Sequence, residues 1–247
     1  MFCDNKLRVA ALVAALIHNA AGHGTITAIQ GANGMTGAGF GIVPTTPRNG
    51  ILPVPFEQDT SVIRDNEISS GKVGPCGRTA AGGNNDVASQ LAAASSSGIP
   101  TAASDGTVTM TVHQVNQDGA GPYTCDVSAD GGTTFTPATV TKNVPGIAGL
   151  SLAAATDFPL TAQMPAGMKC AGGPTGDACI MRCRNPAAAG PFGSCVAVAN
   201  ANTSTAVAVP AAAPAAAAAP AADGRPIVKR LTASRIAGKR AGHWIDA

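Results

Sequence analysis

Between residues 106 and 116 the chain reads Gly-Thr-Val-Thr-Met-Thr-Val-His-Gln-Val-Asn, which places Val108, Met110 and Val112 on one face and Thr109, Thr111 and His113 on the other. A period of two marks a strand with one buried side, so a strand is predicted here, with His113 pointing away from its aliphatic face. A looser alternation, Thr25 and Thr27 against Ile26 and Ala28, predicts a first strand beginning at His23. Further strands are predicted near Tyr123 to Val127, Thr136 to Val144, Ser151 to Leu160 and Ala178 to Arg184, separated by turns rich in Gly, Pro, Asn and Asp. Val87 to Ala94 predicts one or two helical turns capped by Asp86. Residues 31–56 read as long loops and Gly190-Pro-Phe-Gly-Ser-Cys195 as turn-rich, while Phe56 to Ser70 leaves helix and strand open. Regular short strands joined by turns predict an all-β fold, an immunoglobulin-like or fibronectin-like β-sandwich with long loops.

Composition supports that choice. Aromatic residues make up 3% of the 247 residues, against 30 Gly and 18 Pro, so burial must rest on Val, Ile, Leu, Ala and Met in short elements. The ends of the chain read differently. Lys6 and Arg8, an apolar run from Val9 to Ile17 and small residues at Ala20 and Gly22 predict a secretory signal peptide over 1–22, too short for a membrane span. Cleavage before His23 would make that histidine the first residue, whereas cleavage after Ala21 would not. A sandwich domain is predicted over 23–198, followed by an Ala/Pro-rich linker and disordered basic tail over 199–247. The sequon at Asn202 falls at this boundary, and Lys229-Arg230 and Lys239-Arg240 are dibasic pairs open to proteolytic processing.

Residues 23–222 carry a net charge of −3, with no basic stripe of the kind nucleic acid requires, and the chain is read as a secreted monomer. Once the leader departs, six cysteines remain: Cys76, Cys125, Cys170, Cys179, Cys183 and Cys195. In an oxidising compartment they predict three disulfides, in any of fifteen pairings, rather than a zinc site on Cys179 and Cys183.

His23 and His113 are the two imidazoles of the predicted domain. With the terminal amine of His23 they form a three-nitrogen set suited to copper, whose tetragonal preference leaves positions open. No Asp/Glu pair has glycosidase spacing and no Gly-x-Ser-x-Gly element occurs, which disfavours a hydrolase.

The runs His23-Gly-Thr-Ile, Gly74-Pro-Cys-Gly-Arg78, His113-Gln-Val-Asn-Gln-Asp-Gly-Ala-Gly-Pro-Tyr-Thr-Cys125 and Cys183-Arg-Asn-Pro with Gly190-Pro-Phe-Gly-Ser-Cys195 resemble the fungal Gas/MAS/Egh-type family of secreted appressorium-associated proteins. The likeness covers nearly all of His23 to Val198. It implies a filamentous fungus, secretion at the penetration stage and a contribution to virulence, and leaves the molecular basis open.

The same motifs are more distantly similar to lytic polysaccharide monooxygenases. That resemblance implies a copper histidine brace on His23 and His113, with Phe192 in the axial place. Gln114 and Arg184 lie near the matching motifs. The flat aromatic surface common in those enzymes has little counterpart here, since the predicted domain holds Tyr123 and five Phe. Two classes follow: a copper enzyme oxidising chitin or a plant cell-wall polysaccharide, or a non-catalytic factor that binds wall polymer, a host surface or copper.

Overall fold

The strand predicted around His113 sits at the middle of a five-stranded layer, and its alternation is realised as burial. The computed structural model describes residues 23–201; the proposed leader and its cleavage, Asn202, the linker and both dibasic pairs lie outside the described residues. Eleven strands run β1 (Gly24–Gln30), β2 (Thr36–Gly37), β3 (Ser61–Val62), β4 (Arg78–Thr79), β5 (Gly83–Asn84), β6 (Thr107–Gln114), β7 (Thr124–Ser128), β8 (Thr136–Lys142), β9 (Thr156–Gln163), β10 (Ala178–Arg184) and β11 (Phe192–Ala199). Two helices, α1 (Asp65–Ser69) and α2 (Val87–Ser97), lie between β3 and β6. All paired strands are antiparallel, in the order β2-β1-β6-β9-β8-β7-β10-β11-β3-β4-β5.

The single hydrogen-bonded sheet folds into two layers at β8. Its first half pairs with β7, at Cys125↔Ala138 and Val127↔Thr136, and its second half with β9, at Thr139↔Gln163 and Val140↔Ala162. A strand that changes layers in this way makes the corner of a sandwich. Ile26, Val108, Met110, Val112 and Leu160 from one layer meet Val127, Met181, Val196 and Val198 from the other in the main core. The all-β fold with long loops is therefore present, and the aliphatic face of β6 is buried as its pattern requires.

A second core lies outside β10 and β11, where Leu91 of α2 packs with Phe40, Ile99, Ile180 and Ala197. Both faces of β11 are thus covered and every residue from Phe192 to Ala199 is buried. The expected turn-rich reading of Gly190 to Cys195 is corrected here: β11 begins at Phe192 and runs one residue past the expected domain boundary. A strand buried on both sides shows no alternation, which is why the pattern concealed it.

Two other expectations are refined. The undecided stretch from Phe56 to Ser70 contains both β3 and α1. The strand expected from Ser151 starts at Thr156, because Ala155 takes a positive φ of 46° and the preceding loop is pinned elsewhere. α2 is capped as predicted, the Asp86 carboxylate accepting from Ser89 N–H.

The six cysteines form Cys76–Cys195, Cys125–Cys183 and Cys170–Cys179. Cys179 and Cys183 belong to different bridges, which removes the zinc alternative. Cys125 and Cys183 face each other across β7 and β10, and Cys76 fastens the loop before β4 to β11.

Candidate functional site

His23 is placed by backbone contacts before its side chain acts. Its carbonyl accepts from Val115 N–H at 2.8 Å, continuing the β1–β6 ladder in which Thr25 stands opposite His113. Beneath it the 3-10 turn Gln117–Gly119 comes so close that a Cβ on Gly119 would stand 2.3 Å from the His23 carbonyl oxygen. Gly24 is equally constrained, by the Tyr123 hydroxyl and the Gly119 carbonyl. Only glycine permits this approach.

The His23 backbone N–H donates to Asn116 Oδ1 at 2.9 Å, and the Asn116 amide donates in turn to the Glu57 carboxylate and to the Ile51 carbonyl. Glu57 is 2% exposed. Its Oε2 lies 2.7 Å from His23 Nδ1, yet neither atom makes a hydrogen bond, so the two are in contact without donor and acceptor being aligned. Nearby, burial pushes the Asp118 carboxyl up; its own backbone hydrogen bond and the charge of His23 oppose this, and Glu57 adds to it.

Phe192 lies beside His23, ring centroids 4.5 Å apart and planes tilted by 42°. Its backbone N–H donates to Asn185 Oδ1, while the Asn185 amide donates to the carbonyls of Asp118 and Ala120. Asn185 thereby ties the start of β11 to the turn beneath His23.

His113 is 3% exposed although it faces away from the aliphatic core. Its Nδ1 meets Asp157 Oδ1 at 2.6 Å, directly across the β6–β9 pair, while its buried Nε2 has no hydrogen-bond partner. The carboxylate at Nδ1 orients the ring and leaves Nε2 as the nitrogen free of protein partners. The structure thus sets His23 and Phe192 side by side and His113 on the adjacent strand. Among the described residues no three His, Cys, Asp or Glu side chains form a metal-binding group.

The two residues near the matching motifs have other work. Gln114 is buried and donates to Ser151 Oγ and the Ala153 carbonyl, holding the loop before β9. Arg184 pairs with the Asp65 carboxylate and the Ile63 carbonyl. Sequence reasoning missed Glu57, Asn116, Asp157 and Asn185. Asn116 and Asn185 fall inside the quoted motifs and Asp157 in a predicted strand, but only the fold places them against His23, Phe192 and His113.

The family model of the Egh16-like virulence factors matches residues 21–193. The chain belongs to that family. The "Appressoria-specific virulence factor GAS1" of Pyricularia oryzae is 40% identical over 184 residues, covering 72% of this chain and 71% of its own length. "Appressoria-specific virulence factor GAS2" of the same fungus is 35% identical over 244 residues, covering 72% and 83%. No solved structure matches. The match spans the motifs at His23, His113 and Cys183 and ends at Gly193, just beyond Phe192, so this Egh16-like chain shares the segment that builds the site. No helix among the described residues is long and apolar enough to cross a membrane.

Proposed function

We propose that this Egh16-like chain is a secreted, appressorium-associated virulence protein whose working site is a copper centre on His23 and His113. The observation that carries this reading is the buried, unpartnered Nε2 of His113, with Asp157 on the opposite ring nitrogen. A histidine that ligates a metal characteristically donates its second N–H to a carboxylate. His23 Nδ1 is likewise buried without a hydrogen bond, and the Phe192 ring covers one side of His23. Bound copper would supply the redox chemistry that activates dioxygen or peroxide for hydrogen abstraction beside a glycosidic bond in chitin or a plant-wall polymer. The chain's own residues orient the His113 ring through Asp157 and the His23 nitrogen through Asn116, and keep water off the Phe192 side. Three disulfides and the predicted leader support an extracellular location.

A second reading is a non-catalytic binder of wall polymer or host surface. The two loops hydrogen-bonded to Asn116 and Gln117 expose Ile51, Leu52, Val54, Ile147, Leu150 and Leu152, aliphatic side chains in place of aromatic ones. The experiment that separates the readings takes the secreted protein with its N-terminus defined by mass spectrometry. The enzyme reading expects copper binding and soluble oxidised oligosaccharides from chitin or wall polymer, both lost in His113→Ala. Copper binding without oxidised products would leave the binder.

A further inference from the structure

We propose that the loops at residues 49–56 and 144–156 form a lipid-docking surface, whose aliphatic side chains enter the apolar layer of a membrane with uncharged headgroups. The inference rests on the binder reading above, names the surface that is bound, and requires no metal. Ile51, Leu52, Val54, Ile147, Leu150 and Leu152 are the exposed large hydrophobic side chains among the described residues, at 52–93% exposure. All six fall on these two loops, and both loops are tied to adjacent residues of the fold: the Asn116 amide donates to the Ile51 carbonyl, and the Gln117 carbonyl accepts from Ser151 N–H. Exposed apolar side chains concentrated in this way mark an interaction surface. None of the six can hydrogen-bond a sugar hydroxyl or lay an aromatic face against a sugar ring. All of them gain by leaving water for hydrocarbon.

The backbone of these loops suits an apolar medium, where each unpaired N–H or carbonyl is costly. Ile147 and Leu150 exchange both of their hydrogen bonds, Gly149 donates to the Gly121 carbonyl and accepts from Ala120 N–H, and Ser151 N–H is held by Gln117. In the other loop the Pro53 carbonyl accepts from Glu57 N–H and from Gln58 Nε2, while Pro53 and Pro55 have no N–H to satisfy. Charge selects the kind of lipid. Residues 49–56 and 144–156 contain no Asp, Glu, Lys or Arg, and the charges at their ends cancel, Arg48 and Lys142 against Glu57 and Asp157. With a net charge of −3 over residues 23–222, the domain gains nothing from an anionic headgroup. A neutral surface such as phosphatidylcholine is the complement of these loops.

The test is co-sedimentation of the full secreted protein with phosphatidylcholine vesicles, beside binding to insoluble chitin and cellulose, for wild type and for the triple variant Leu52→Ser, Ile147→Ser, Leu152→Ser. Neutral vesicles give the basic tail no partner, so the loops alone are read. The expected result is wild-type partitioning that persists in about 1 M salt and a partition coefficient at least about tenfold lower in the triple variant. Partitioning that the folded triple variant retains in full, or that salt abolishes, overturns the proposal. Wild-type protein that ignores the vesicles but binds chitin or cellulose overturns it and leaves the binder reading standing with a wall polymer as partner. Wild-type protein that binds none of the three overturns both. Should the triple variant fail to fold, Leu152→Ser alone decides, at the most exposed of the six positions: a loss of at least about threefold is expected, and an unchanged coefficient rejects the proposal.

Discussion

Asp157 acts on the site while lying mostly in solvent: its side chain is 64% exposed, whereas the imidazole it holds is buried. On the proposed copper reading, Asp157→Asn should leave the thermal midpoint nearly unchanged and lower copper affinity about 10- to 100-fold, the usual cost of removing a carboxylate behind a ligating histidine. Calorimetric titration beside a melting curve checks both halves. Acid dependence belongs to another group. Hydrogen bonds from Arg78 hold the Glu67 carboxyl below its ordinary range against burial, with the charges of Arg78, Lys72 and Arg64 adding to the effect. A depressed folded value means this stabilisation is complete above the unfolded glutamate pKa and is lost as pH falls through the folded one. Urea midpoints measured downward from neutral pH should fall less in Glu67→Gln than in wild type. Asp118, raised by burial, contributes with the opposite sign and is relieved as pH falls. His23, His113 and Phe192 are nominated from the sequence because motif and chemistry single them out, and the structure sets His23 beside Phe192. Asn116 and Asp157 were not legible, because they reach their partners across 93 and 44 residues of sequence.

At the scale of elements, the start of β1 depends on a turn without side chains. Gly119→Ala would press a methyl into the His23 carbonyl, and overpacking of this kind costs about 1–3 kcal/mol. Chemical denaturation should show that loss and, on the proposed copper reading, a titration should show weakened copper binding, since the His23 backbone must shift. The loop before β9 offers a gain instead. Ile147 and Leu150 exchange both backbone hydrogen bonds around Ala148 and Gly149, whose φ values are 51° and 84°. Alanine is strained there, whereas Asn enters the left-handed region more readily because its short side chain hydrogen-bonds the local backbone, so Ala148→Asn should stabilise the protein by up to about 1 kcal/mol in the same assay. Strands with one wet face, β6 above all, were legible from alternation. β11 was not, because α2 and the loop bearing Phe40 cover its outer face and leave no polar beat to read.

For the whole molecule, the disulfides set the scale of cooperativity. Cys76–Cys195 closes a loop of sequence separation 119, for which chain entropy predicts about 5 kcal/mol. That is comparable to the entire stability of a marginal domain. Replacing both cysteines by serine should lower the denaturant midpoint far more than the same change at Cys170–Cys179, whose separation is 9. The cysteine count made three bridges legible, but pairing is a property of register and of which loop meets which strand.

The long bridge also decides what becomes of the molecule when a protease reaches it. A single cut anywhere from the loop after Cys76 to the strand before Cys195, including the exposed stretch around Leu152, produces two polypeptides that remain one particle. Such a nicked molecule migrates as one band until a reductant is added. The piece bearing His23 and the piece bearing Phe192 stay fastened together, so a scar in the chain does not part the two rings.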